Sequence, residues 1–201
     1  LLVGVLPEPI TTTKDPMAKV FYGIPFTGKP KAVRMDYKAD VGHEVIRGTG
    51  FSKLKPMGYP DYAEITVILQ KRWEDENGEV HALRVGTGIE RIMKDVPDWV
   101  NGHEIRIHYG DITKEAFYQD YMGLKTDPDL VWYTTNSKGK IVVVHEEGWA
   151  APDTEPNHMM IYFISSCGKA FYGEECKMMR LIMTVATEKS VGVSFGDPEI
   201  F

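Results

Sequence analysis

Apolar and polar residues alternate with a period of two along much of this chain. In "KAVRMDYKAD", Val33, Met35 and Tyr37 fall on one side and Arg34, Asp36 and Lys38 on the other, as in a strand with one buried face. "AEITVILQKRW" reads the same way, with Ile65, Val67 and Leu69 inward. It leads into "EDENGEV", where Asn77-Gly78 predicts a type I′ hairpin, and "EVHALRV" is the return strand. "HEIRIHYG" sets Ile105, Ile107 and Tyr109 against Glu104, Arg106 and His108. "LVWYTT", "NSKG" and "KIVVVHE" predict a second hairpin. "HMMIYFISS" is apolar at both parities, which predicts a central strand covered on both faces, with "CKMMRLIMTVA" as its antiparallel partner. Only "DITKEAFYQDYM" invites a helix, with Asp111 as N-cap. Residues 110–130 and 146–157, rich in Asp, Pro, Gly and Thr, read as loops.

Short strands punctuated by turns, without β–α–β alternation, predict an all-β fold. The form expected is an antiparallel β-sandwich of jelly-roll type with at most one or two short helices. The 201 residues fit a single domain. "LLVGVLPEPI" has no initiator Met, no basic segment and no cleavage signature, so native residues are expected to precede Leu1.

Charge narrows the partners. Lys+Arg number 23 against 29 Asp+Glu, a net charge of −6, which argues against nucleic acid as a partner. No run of about 18 apolar residues predicts a membrane span.

Familiar chemical motifs are weak here. "RGTGFSK" and "VGTGIE" contain G-x-G without the third glycine of a dinucleotide site. His103 and His108 are five apart, which on a strand sends them to opposite faces. Calcium held by loop carboxylates such as Asp127 and Asp129 is the one cofactor the sequence admits. For Cys167 and Cys176, catalysis needs a nearby base, and His158 sits at the far end of the same strand. A disulfide across the connection between "MIYFISS" and "KMMRLIM" fits better, with two buried thiols as the alternative.

Two stretches together carry a resemblance. "FYGIPFTGKPKAVRMDYKAD" contains Gly23, Pro25, Phe26, Lys29 and Pro30 followed by Tyr37 and Lys38. "YFISSCGKAFYGEEC" contains Ser165, Ser166, Gly168, Phe171 and Gly173. With the Trp-led "PDWVNGHEIRIHYG" between them, they resemble the carbohydrate-metabolism domain family, a jelly roll of secreted lipoproteins in gut Bacteroides-type bacteria. The resemblance covers most of residues 15–187 and implies an insertion near 111–155; the chain departs from that family at Cys167 and Cys176, and "MMRLIMTV" lacks its paired aspartates. The resemblance implies carbohydrate handling at the cell surface or outer membrane, a native lipid anchor, and partnership with other surface glycan-uptake proteins.

A sugar needs aromatic faces for its C–H patches and polar groups for its hydroxyls. The expected binding residues are Arg34, Asp36, Lys38, Glu104, Arg106 and His108 on polar strand faces, with Trp73 and Trp99 as platforms. The alternatives are a glycoside hydrolase with carboxylates from separate strands, and a structural or adhesive surface domain.

Overall fold

The computed structural model of the chain describes residues 22–39, 41, 43–44, 46–47, 55–126, 132–164 and 182–186. In chain order its strands are β1 (Ile24–Pro25), β2 (Ala32–Ala39), β3 (Ile46–Arg47), β4 (Lys55–Pro56), β5 (Ala63–Glu74) and β6 (Val80–Ile92). They continue with β7 (Val96–Arg106), β8 (His108–Tyr109), β9 (Trp132–Thr135), β10 (Ile141–Trp149), β11 (His158–Ile164) and β12 (Ile182–Ala186). A seven-stranded sheet runs β1-β11-β5-β6-β10-β9, with β8 also paired to β6. A three-stranded sheet runs β12-β2-β7, and β3 pairs with β4. The fold is all-β, as the two-residue periodicity predicts. Among the described residues no helix is long and apolar enough to cross a membrane.

The described residues divide into two compact units. The first comprises Leu1–Lys29, Thr66–Gly88 and Ile107–Tyr162; the second comprises Pro30–Ile65, Ile89–Arg106 and Phe163–Phe201. In the first, Val67, Ile68, Leu69, Ala82, Val85, Val144, Met160 and Ile161 are buried. In the second, Val33, Met35, Ile65, Ile89 and Ile105 are buried.

Several expectations require correction. The strand containing Ile65, Val67 and Leu69 is covered on both faces, because Thr66, Ile68 and Gln70 are fully buried too. Met159, Met160 and Ile161 are buried at successive positions, as expected for a central strand. Yet among the described residues the neighbours of β11 are β1 and β5, while β12 pairs with β2, so β11 and β12 are not the expected partners. Cys167 and Cys176 lie outside the described residues, as do Asp127 and Asp129. The run "HEIRIHYG" breaks at Ile107: β7 pairs with β2, and β8 pairs with β6. "DITKEAFYQDYM" is a chain of turns with one 3₁₀ turn at Asp120–Met122. Asp111 Oδ1 accepts from Thr113 N and Thr113 Oγ1 (2.9 and 2.8 Å), closing a local turn where a helix cap was expected. Finally, β6 and β10 pair in parallel, with His81 opposite His145, where antiparallel pairing was expected. Residues 93–140 lie between these two strands, ample length for the crossover that parallel pairing demands.

A ring row on the first unit as candidate functional site

The site begins at two matching turns. Between β5 and β6, Asp75 N donates to Glu79 O (2.9 Å) and Gly78 N to Asp75 O (3.0 Å). Gly78 takes φ +89°, the left-handed conformation that closes a turn with an added bulge residue. The reversal therefore starts at Asp75, in contrast to the two-residue turn expected at Asn77-Gly78. Asp75 Oδ1 accepts from Asn77 N (2.9 Å) and Glu79 N (2.8 Å). These amide donors, that of Glu79 foremost, hold the Asp75 carboxyl below its ordinary pKa.

The β9–β10 turn repeats the design with Asn136 in place of aspartate. Asn136 N donates to Lys140 O and Gly139 N to Asn136 O, while Asn136 Oδ1 accepts from Lys138 N and Lys140 N. The turns also hold each other. Asn136 Nδ2 donates to Gly78 O (2.8 Å), and Glu74 accepts from Ser137 Oγ and Ser137 N (2.7 and 2.8 Å).

Turn geometry then sets side chains across strands. The hairpin brings Trp73 of β5 beside His81 of β6, with ring centroids 5.5 Å apart and planes 18° apart. The parallel register places His145 of β10 beside His81, with centroids 5.6 Å apart. Three aromatic rings thus form a row across three strands, and Trp73 is 44% exposed. Carboxylates border the row. His81 Nδ1 donates to Glu147 Oε1 at 2.6 Å, and its Nε2 lies 3.9 Å from Asp75 Oδ2.

Residues of opposite parity on the same three strands form a buried polar clamp. Arg84 of β6 and Glu146 of β10 are wholly buried and paired, with Arg84 Nε donating to Glu146 Oε1 at 2.6 Å. Glu146 also accepts from Gln70 Nε2 of β5 and from Lys125 N, each at 2.8 Å. The Arg84 guanidinium lies over Trp132 and Trp149, 5.2 and 5.4 Å from their ring centroids. Gln70 Oε1 accepts from Arg72 Nε (2.8 Å), extending the clamp along β5. Arg72 Nη1 donates to Tyr22 O, while Nη2 is buried without a hydrogen-bond partner among the described residues. Burial pushes Arg72 down to about 10, partly offset by Glu146. Burial, aided by Arg72, lowers His158 to about 4. The clamp spans the strands that carry the rings, so it holds the row in register.

Of the residues expected from the sequence, Arg34, Asp36, Lys38, Trp99, Glu104 and Arg106 lie on β2 and β7 of the second unit, and Trp73 and His108 lie in the first. Arg34 and Glu104 do meet, with Arg34 Nε donating to Glu104 Oε1 at 3.1 Å. Beside them, Asp36 Oδ1 accepts from Gly102 N (2.6 Å), and Lys38 Nζ lies 5.4 Å from the Trp99 ring centroid. On β2 and β7 these groups are engaged with one another, and Arg106 is exposed. His108 belongs to β8 in the first unit, where it stacks on Phe117 with centroids 4.0 Å apart. Trp73 is in the ring row. His81, His145, Asp75 and Glu147 escaped the sequence reading, although the mirror spacing of Trp73 and His81 about the turn was available to it. No protein-family model, curated protein or solved structure matches this chain.

Proposed function

We propose that this chain is a non-catalytic glycan-binding domain of a secreted or cell-surface protein, and that the row of Trp73, His81 and His145 is its sugar platform. The observation that carries this reading is an exposed tryptophan extended by two imidazoles and bordered by carboxylates. Apolar C–H patches of a pyranose would lie against the rings, and Asp75 and Glu147 would accept from its hydroxyls. The 44% of Trp73 left in water is an apolar face that a pyranose would cover. The resemblance of "GIPFTGKP" and "ISSCGKAFYG" to the carbohydrate-metabolism domain points the same way, and it alone suggests a lipid anchor and glycan-uptake partners.

A glycan-array screen of the purified chain tests the reading. Binding to a subset of glycans is expected, lost in Trp73→Ala and retained in Trp99→Ala. No binding to any glycan, or binding indifferent to Trp73→Ala, defeats it.

A further inference from the structure

We propose that His81, Asp75 and Glu79 form a binding site for a divalent transition-metal ion of the zinc type. One ligand atom from each residue lies within 4.8 Å of the others. A second feature comes from outside this hairpin. Glu147, on β10, approaches His81 Nδ1 to 2.6 Å, which fixes the imidazole proton on Nδ1 and leaves the Nε2 lone pair outward. That nitrogen lies 3.9 Å from Asp75 Oδ2. The gap is too long for a hydrogen bond, yet two metal–ligand bonds of about 2.1 Å can bridge it. A histidine whose remote nitrogen is held by a carboxylate, with its near nitrogen facing further carboxylates, is the arrangement that orients and strengthens a metal-bound imidazole.

The donor set selects the ion. One imidazole nitrogen with carboxylate oxygens suits zinc and its neighbours, whereas calcium takes oxygen ligands alone. Asp75 is already fixed by the turn amides, and His81 is set between the rings of Trp73 and His145, so the exposed Glu79 side chain is the ligand that must close on the ion and be ordered. Three protein ligands leave a fourth position for water or an exogenous oxygen. The site shares His81, Asp75 and Glu147 with the glycan reading, but zinc binding needs no glycan, so a titration with the metal alone fails or succeeds separately from that reading.

Calorimetric titration of the purified chain with zinc chloride alone tests it, with calcium chloride run in parallel. One saturable zinc site is expected, and calcium binding at least 100-fold weaker. His81→Ala and His81→Gln should each weaken zinc at least 100-fold. Glu147→Gln, which touches only the remote nitrogen, should weaken it about 10–100-fold. Unchanged thermal unfolding confirms that each variant is folded, and having two His81 variants guards against one that is not. Absence of saturable zinc binding overturns the proposal. So does zinc binding indifferent to both His81 variants, calcium binding as tight as zinc, or a Glu147→Gln variant that binds zinc like the parent.

Discussion

Glu146→Gln changes one charge and almost nothing of the shape. In the native chain the Glu146 carboxylate accepts from Arg84 on the neighbouring strand β6, from Gln70 on β5 one strand further, and from the backbone of Lys125. Its partner Arg84 has a side chain with 0% exposure, so no water can take the carboxylate's place. The amide of glutamine turns one acceptor into a donor and leaves the guanidinium charge buried and unbalanced. Breaking a buried pair from one side costs about 3–5 kcal/mol. A chain of this size has a total stability of roughly 5–15 kcal/mol, so this variant should sit near the edge of folding. Replacing both partners, as in Arg84→Met with Glu146→Leu, should recover most of the loss, because apolar side chains need no counter-charge. The residual penalty comes from the carbonyls of Met122 and Gly123, the amide of Lys125 and the buried side-chain amide of Gln70, which lose their partners. Urea unfolding at neutral pH, followed by tryptophan fluorescence, reads all of this, since Trp132 and Trp149 touch the guanidinium. A double-mutant cycle should return a coupling of at least about 2 kcal/mol. A Glu146→Gln variant within about 1 kcal/mol of the parent would refute the clamp, as would a double variant no more stable than Glu146→Leu alone.

The His158 imidazole, lowered to about 4 from 6.5 in the folded chain, stays neutral while the unfolded chain takes up its proton. Its contribution is complete above pH 6.5 and is lost as pH falls toward 4. One pKa unit is about 1.4 kcal/mol, and solvent screening of this half-buried ring reduces the total to roughly 1–2 kcal/mol. His158→Gln should flatten the urea midpoint across that window; an unchanged slope would contradict the assignment. Gly78→Ala forces a Cβ into a left-handed turn position and within 2.9 Å of Asn136 Nδ2, disturbing both turns. A loss of about 1–3 kcal/mol is expected by thermal or urea unfolding, and a neutral result would deny the turn its role. Trp73→Ala should cost about 1–3 kcal/mol of stability, because nearly half of the residue is already in water, while reducing glycan affinity at least tenfold by calorimetry. A variant that keeps its affinity would remove the ring from the site.

Much of the fold was legible because a period of two is hard to satisfy any other way. Val33 and Met35 are buried while Arg34 is exposed, as their alternation required. Both hairpins lie where Asx and Gly punctuate the chain. Strand partners across long separations were not legible: "HMMIYFISS" says that it is covered on both sides, but not by which strands. The break at Ile107 was also hidden, since alternation continues through it while pairing passes from β2 to β6. The buried clamp left a trace that was missed. Arg72, Arg84 and Glu146 each occur at the parity of buried apolar neighbours, and their signs are complementary. The ring row needed the parallel β6–β10 register, which no local pattern encodes. Trp73 was expected to bind; the two histidines that extend it were not.

The most direct test of the glycan account is an NMR titration of the folded chain with a glycan chosen from the array, following the tryptophan indole and histidine ring signals. The account predicts that the Trp73 indole and the His81 and His145 rings shift together and saturate at one affinity, with the Trp99 indole unmoved. Shifts confined to Trp99 and the neighbours of Lys38, with the ring row silent, would contradict it.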